Sequence, residues 1–406
     1  MPVKTIDDLD RGEISGKRIL VRVDFNVPLD DGRITDDTRI SRALPTLVHL
    51  LERGGRVVVM SHLGRPKGKA NPDLSLEPVA RHLRERLDFP VTFSSDLVGD
   101  EAREAARGLE DGELLLLENT RFHPGETQND PELAEQLADL GEVYVNDAFG
   151  TAHRAHASTV GVAEALRERG CQAVAGFLME KEMEYLDRSL QDPGRPFVAI
   201  LGGAKISGKI DVIQALLPRV DRLLIGGAMA NTFFKALGLE VGESLVEEDR
   251  VELARSTLEE AGDKLLLPVD CVVADEIAPD AGTRVVARSE VGGADGIGDV
   301  GPETRDLFVQ ELEEARTVVW NGPMGVFEME PFAQGTLAVA RGVAGVTRAG
   351  GTTIVGGGDS ASAVEKAGVA NEISHVSTGG GASLELLSGA ELPGLAALDR
   401  EEGEAT

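Results

Sequence analysis

Two series of short, unbroken apolar runs constrain this chain more than any other feature of its sequence. The first comprises 19–23 (ILVRV), 57–60 (VVVM), 90–93 (PVTF), 114–117 (LLLL) and 143–145 (VYV). The second comprises 198–201 (VAIL), 223–225 (LLI), 269–273 (VDCVV), 318–320 (VVW) and 353–355 (TIV). A strand buried on both faces reads as such a run, whereas a half-exposed strand alternates. Longer segments of helical spacing separate the runs, so the pattern reads as strand-helix units feeding mostly parallel sheets with helices on both faces. At 406 residues, the expectation is an α/β chain with two doubly wound parallel-sheet domains. Between the series, 177–191 carries Met179, Met183, Leu186 and Leu190 on one helical stripe, closed by Asp192, Pro193 and Gly194. It is expected to be a linker helix.

Several runs end in glycine. In 352–368, TTIVGGGDSASAVEKAG, the residues Gly356, Gly357 and Gly358 let the backbone approach a ligand closely. The helix that follows offers unpaired N–H groups and the positive end of its dipole to an anion. Asp359 stands where a carboxylate could hold the magnesium that accompanies a nucleotide, and Ser360 could cap the helix or touch a phosphate. The alternative is a tight strand-to-helix turn with a plain N-cap.

The stretch 201–210, LGGAKISGKI, keeps P-loop spacing in Gly203, Gly208 and Lys209, but Ile210 stands where that motif needs Ser or Thr for magnesium. Lys205 and Lys209 can still share one face of a helical turn and reach a phosphate. Gly226 and Gly227, in 223–231, would let a flat ring approach the backbone. In 320–328, WNGPMGVFE, Asn321 opens the turn and Glu328 is placed to accept hydrogen bonds from ribose hydroxyls. A last stretch, 377–384, STGGGASL, includes Gly381 and opens a terminal helix as a second anion seat. Each of these reads equally well as a structural turn.

The first half is basic where the second is glycine-rich. Arg22, Asp24 and Asn26 follow the first run in RVDFNVP; Arg39 lies in TDDTRI; His62, Leu63, Gly64 and Arg65 form SHLGRP with their neighbours; Arg121 and His123 lie in ENTRFHPGE; His153, Arg154 and His156 lie in GTAHRAHAS. Each group is read as falling just after an apolar run, and carboxyl ends of parallel strands are where open α/β sheets bind ligands. Any one arginine could simply pair with a surface carboxylate. Their recurrence in separate units suits a small substrate carrying phosphate and carboxylate, which guanidinium groups bind in bidentate fashion. Asp24 and Asn26 would position a hydroxyl, or Asp24 would hold an arginine in place.

Net charge is −29, from 70 acidic against 41 basic residues. Such an excess repels phosphate polymers, so neither nucleic acid nor an anionic membrane is an expected partner. It also raises self-repulsion that salt screens, which predicts a host with a high-salt cytoplasm and a fold that needs concentrated salt. Cys171 and Cys271 have no C-x-x-C spacing and are expected to be packing residues. No run approaches the roughly 18 apolar residues of a membrane span, and MPVKTIDDLD has no apolar core, so the expected location is the cytoplasm. The acidic stretch 399–406, DREEGEAT, is expected to be disordered.

Taken together, RVDFNVP, SHLGRP, ENTRFHPGE, GTAHRAH, LGGAKISGKI, WNGPMGVFE, GGGDS and STGGGASLELLSG resemble phosphoglycerate kinase, in that family's order and over nearly the whole chain. The resemblance implies two Rossmann-like domains joined by the helix 177–191. The first, 1–176 with 378–406, would bind 3-phosphoglycerate or 1,3-bisphosphoglycerate; the second, 192–377, would bind ATP or ADP with Mg2+. By motif, Asp24, Asn26, Arg39, His62, Leu63, Gly64, Arg65, Arg121 and Arg154 resemble the substrate set. Lys205, Lys209, Gly226, Gly227, Asn321, Glu328 and Gly356 through Ser360 resemble the nucleotide set, with Asp359 toward the metal. The family also suggests a monomer. Three departures fall on the adenine side: Gly208 where aspartate is common, Met329 for a frequent tryptophan, and the unusual Gly296-Ile297-Gly298-Asp299. None removes a phosphate ligand.

The implied reaction moves a phosphoryl group in line between two oxygens, so it needs positioning and charge stabilisation but no protein nucleophile. Arg39 and Lys205, with backbone N–H groups at Gly358 and Gly381, are the expected stabilisers, and the two domains are expected to close as a hinge. Two rivals stand beside this reading: a P-loop-like nucleotide hydrolase built on Gly203 to Lys209, and a non-catalytic nucleotide-binding module.

Overall fold

The computed structural model describes residues 3–400, without the side chains of 187–190, so the 399–406 reading and the Leu190 end of the helical stripe fall largely outside the described residues. The chain divides into two compact units: 1–183 with 391–406, and 184–390.

The first unit holds six parallel strands in the order Val91–Phe93, Leu114–Leu116, Arg56–Met60, Arg18–Arg22, Val143–Asn146, Gln172–Ala175. Five match the expected runs. The sixth, Gln172–Ala175, was not foreseen, because a polar residue and two alanines make a weak apolar signal. The chain moves to one side of Arg18–Arg22 and later to the other, so its carboxyl end lies at the point where strand order reverses. Crevices for ligands open at such points.

The second unit repeats the plan in the order Leu265–Leu266, Arg222–Ile225, Phe197–Leu201, Thr317–Asn321, Thr352–Gly356, His375–Val376, all parallel. The expectation fails for 269–273. That run forms Asp270–Ala274, the centre of a separate antiparallel sheet with Arg284–Ala287 and Gly296–Val300. Asp270 explains part of the diversion: its carboxylate accepts hydrogen bonds from Glu303 N at 3.0 Å and Thr304 N at 2.8 Å, capping the helix Pro302–Glu313. A continuous run reports burial, not the direction of the neighbouring strand. Around Thr317–Asn321, Val318, Trp320 and Val355 are fully buried. Each such side chain contributes roughly 1.5–3 kcal/mol, which holds the strand ends and the turns beyond them in register.

The connecting helix spans Phe177–Gln191, and the division between units falls inside it. Met179 and Leu186 are buried, Met183 partly so. The segment 378–390, expected with the first half, belongs to the second unit. There the helix Gly381–Leu387 packs on Ile210–Leu216, and the hydroxyls of Ser377 and Ser383 lie 2.6 Å apart. The return to the first unit comes later, where Gly394 N donates to Ala152 O at 2.8 Å and Asp399 N to Ala173 O at 2.8 Å.

Candidate active site

In the first unit the basic residues gather where the strands end. Arg22 closes Arg18–Arg22, Asp24 and Asn26 follow it, and His62 follows Arg56–Met60. Arg121 lies in the turn Thr120–Phe122, and Arg39 in the first turn of the helix Thr38–Glu52. Arg39 Nη1 donates to Asp24 Oδ2 at 2.9 Å. Burial alone would raise the Asp24 pKa, yet its surroundings on the His62, Arg39 and Arg22 sides, with the Asn26 N–H, carry it below the ordinary value. His62 is itself held well below its ordinary value, chiefly by burial. An uncharged imidazole attracts little, so the two guanidinium groups and the Asn26 N–H carry the effect on Asp24.

Asn26 acts on the loop rather than on open solvent: its Oδ1 accepts from Gly64 N at 2.8 Å. Arg121 Nη1 donates to Gly64 O at 2.9 Å. Leu63 is buried, and its N–H and C=O are both taken by Asn119, at 3.2 and 2.7 Å. Leu63 and Gly64 thus shape the loop with committed backbone groups. Asn119 also donates to Leu74 O at 2.9 Å, making it the organiser of this rim. Nothing in the reading of ENTRFHPGE marked it, although a buried asparagine after an apolar run is the kind of residue that ties turns together.

Arg65 and Arg154 are exposed, and Arg154 Nε donates to His153 Nε2 at 3.1 Å. Among the described residues the buried Arg121 Nε has no acceptor, and its guanidinium is pushed down to about 10, first by burial and then by Arg22 and Arg154. Like charges crowded around an unfilled donor form an environment that an oxyanion would relieve.

In the second unit, three glycine turns that were each weak in the sequence interlock at the carboxyl ends of adjacent strands. Gly203 N donates to Pro323 O at 2.9 Å, Gly227 N to Met324 O at 3.0 Å, and Met229 N to Gly203 O at 3.0 Å. A Cβ at Gly227, whose φ is +66°, would stand 2.5 Å from Gly203 N. Only glycine permits that approach. Lys209 Nζ crosses to Asn321, donating to its backbone O at 2.8 Å and its Oδ1 at 2.6 Å. Asn321 Nδ2 in turn donates to Gly356 O at 2.9 Å. Burial pushes the Lys209 ammonium down to about 8, against the pull of Asp359. Ser360 neither caps its helix nor faces solvent; its buried Oγ accepts from Gly322 N at 2.7 Å.

The helix Gly358–Lys366 starts beside this network with Gly357 as N-cap at φ +90°. A Cβ on Gly357 would crowd Asn321 Nδ2 at 3.0 Å, and one on Gly356 would come within 3.8 Å of Ser383 Cβ, beside the start of Gly381–Leu387. A Cβ on Gly358 would meet nothing within 4 Å. Packing therefore does not require glycine at 358, but a ligand on the helix N–H groups would. Gly358→Ala is expected to change unfolding free energy by less than about 0.5 kcal/mol while raising the KM for nucleotide roughly tenfold, on the scale of one charge-assisted hydrogen bond. Denaturant titration and steady-state kinetics on one preparation check both halves.

Beside these turns lies a cavity of about 250 Å3, lined by Gly227, Asn231, Phe234, Met324, Glu328 and Asp359 among others. Ile297, Gly298 and Asp299, from the stretch set on the adenine side, also line it, as does Cys271, which was not foreseen there. Burial and Asp270 push the Cys271 thiol up to about 12, so it is a packing thiol as expected. Burial raises Asp299 to about 7 against hydrogen bonds from Gly335 N and Val300 N. Lys205 and Glu328 are exposed. A larger cavity, about 640 Å3, sits where the strands begin, by Arg195, Thr317 and Thr352. It contains none of the residues above.

One unit with crowded guanidinium groups around an unfilled donor, and another with glycine turns, a buried lysine and helix N-termini around a small cavity, define a nucleotide-dependent phosphotransferase acting on a small anionic acceptor. The family model for phosphoglycerate kinase matches residues 6–390. The chain is 58% identical over 404 residues to phosphoglycerate kinase of Chlorobium limicola and 57% over 404 residues to that of Chlorobaculum tepidum, covering 98% of this chain and 100% of each relative. Among solved structures, phosphoglycerate kinase from Coxiella burnetii matches with a TM-score of 0.86 at 42% identity, covering 98% of both chains. That from Pyrococcus horikoshii matches at 0.83 and 35%, covering 97% of this chain and 98% of that one.

The chain belongs to the phosphoglycerate kinase family. It catalyses reversible phosphoryl transfer between the acyl phosphate of 1,3-bisphosphoglycerate and ADP, giving 3-phosphoglycerate and ATP. The full-length match sets aside the hydrolase and binding-module alternatives. The relatives lend no support to a high-salt origin. Among the described residues no helix is long and apolar enough to cross a membrane.

Proposed function

We propose that the arginine cluster of the first unit seats 3-phosphoglycerate or 1,3-bisphosphoglycerate, and that the glycine turns of the second seat ATP or ADP. In the ATP-consuming direction a carboxylate oxygen of the acid attacks the terminal phosphorus as the bond to the ADP oxygen breaks; no proton moves. Arg121, Arg65 and Arg154 bind the acid's charged ends, with Asp24, Asn26 and His62 setting its orientation. Arg39 and Lys205 oppose the charge of the transferring group, together with N–H groups at Gly358 and Gly381. Lys209 and Asn321 hold the phosphate chain, Gly226 and Gly227 flank the base, and Glu328 accepts from the ribose. Asp359 is the residue that would hold magnesium. One carboxylate suits an ion that takes its remaining ligands from phosphates and water, and the described residues include no cluster of three His, Cys, Asp or Glu able to hold a metal alone. When bound, the ion offsets charge on the phosphate chain.

What carries this reading is the buried Arg121 Nε, a donor without an acceptor among the described residues, inside a cluster of like charges. The protein acts as a cytoplasmic monomer whose net charge of −29 makes its stability salt-dependent. A coupled assay with ATP and 3-phosphoglycerate, run at low and molar KCl beside thermal unfolding in the same buffers, tests both parts. The expected result is turnover that requires the acid and an unfolding midpoint that rises with salt. ATP consumption without the acid, or nucleotide binding without turnover, would refute the proposed roles; full stability in dilute buffer would refute the salt dependence.

A further inference from the structure

Beneath the acid site runs a chain of hydrogen bonds closed to solvent. Arg22, Glu126, Ser158 and Tyr144 are fully buried, and His62 is 3% exposed. Glu126 Oε1 accepts from Ser158 Oγ at 2.6 Å, and Glu126 Oε2 from Ser158 N at 3.0 Å. Ser158 Oγ accepts from Arg22 Nε at 2.8 Å. Arg22 spends Nη1 on Val23 O, and its Nη2 lies 3.2 Å from His62 Nδ1.

A guanidinium carries only donors and keeps its proton at any pH a protein survives. At the Arg22–His62 contact, Nη2 must therefore be the donor and Nδ1 the acceptor. That assignment leaves one place for the imidazole proton, Nε2, and a second proton on Nδ1 would point an N–H at an N–H. Among the described residues, His62 Nε2 has no hydrogen-bond partner.

We propose that Arg22 is a positioning residue for the acid site: anchored through Ser158 to Glu126, it fixes His62 as the neutral tautomer with its proton on Nε2, so that the imidazole meets the bound acid as a single donor and not as a cation. The charged groups acting on His62 are Asp24, Arg22, Arg121 and Arg39. Asp24 Oδ1 is 3.9 Å from Nδ1, too far to compete as a hydrogen-bond partner, and it is bound to Arg39 through Oδ2. The three arginines all oppose a positive imidazole, as does burial. Ser158 lets Glu126 balance the Arg22 charge at one remove, so the carboxylate does not take the guanidinium edge that His62 needs. The sequence offered one clue: Arg22 is the lone charge inside the first apolar run.

The proposal rests on His62 belonging to the acid site, and its test separates the two. Nitrogen-15 spectra of the ligand-free protein with labelled histidine, assigned with His62→Gln, read the tautomer without substrate. The expected signal is a neutral ring protonated on Nε2 that does not titrate between pH 8 and 5. Arg22→Met should let the ring exchange between its two neutral tautomers, since burial, the chief cause of its low pKa, remains. It should also raise the KM for 3-phosphoglycerate several-fold with little change in kcat. Should Arg22→Met fail to fold, Ser158→Ala keeps the guanidinium but cuts its anchor and should produce a smaller change of the same sign. A wild-type ring protonated on Nδ1, a cationic ring at pH 6, or a ring unaltered by both substitutions overturns the proposal. An unchanged KM in His62→Gln, with the tautomer as expected, would instead remove His62 from the acid site.

Discussion

Replacing Arg39 with alanine is expected to lower kcat roughly 100-fold, about 3 kcal/mol, while the KM for either substrate moves only a few-fold. The magnitude is that of losing one preorganised donor aimed at charge in the transition state. Arg39 is suited to the task because it is held without being consumed: Nη1 is bound to Asp24 Oδ2 at 2.9 Å while the side chain stays 37% exposed. Its place in the first turn of Thr38–Glu52 comes with a backbone anchor, Thr38 N donating to Asp36 Oδ1 at 2.8 Å. The alanine variant also leaves Asp24 with less positive charge beside it, so Asp24→Asn in the same background tests whether a stranded carboxylate is part of the loss. Initial rates in both directions decide the matter, and a kcat close to that of the parent enzyme would remove Arg39 from the role.

Lys209→Met is the second large effect, and it should appear as much in pH dependence as in rate. In the free enzyme burial brings Lys209 down to about 8 from an ordinary 10.5. A phosphate chain placed against the ammonium favours the charged form and raises that value. Between about pH 8 and the raised value, nucleotide binding must take up a proton, so affinity for ADP should fall as pH climbs past 8, by at most tenfold per unit. Calorimetry in buffers of different ionisation enthalpy reads the uptake directly. The methionine variant should show none, and at pH 7 should bind ADP roughly 10- to 100-fold more weakly, the range for a hydrogen bond to a charged group. The stability sign runs the same way. The folded protein holds this proton less tightly than the unfolded chain, so the contribution of Lys209 to stability improves as pH rises from about 8 toward 10.5 and is least favourable below 8. Heats of binding that do not depend on the buffer at pH 8.5 would rule out the linkage.

Much of the candidate site was legible because its residues repeat a position. Arg22 ends the first strand, and His62, Arg121 and Arg154 come after later apolar runs that form strands. The glycine turns were legible as turns but ambiguous as a site, since each read equally well as a structural junction. Their interlocking resolves the ambiguity for Gly227 and Gly322, where a Cβ would stand 2.5 Å from Gly203 N and 2.3 Å from Gly202 O. A Cβ on Gly358, as on Gly208, would meet nothing within 4 Å, so packing does not account for glycine at either position. Ser360, whose context suggested a cap or a phosphate contact, does not cap its helix; its Oγ holds the neighbouring turn by accepting from Gly322 N.

What the sequence determined by itself was local. The periodicity of apolar residues decided which segments are buried strands and which are helices, and the residue types at strand ends decided the chemistry available there. What only the tertiary structure decided was partnership. Arg22 is tied to Ser158 across 136 positions and Lys209 to Asn321 across 112. Such bonds form because parallel sheets bring strand ends from distant parts of the chain side by side. The direction of Asp270–Ala274 and the late return of the chain at Glu391 belong to the same class. A run of valines records that water is excluded, and it takes the packed neighbours to say which atoms exclude it.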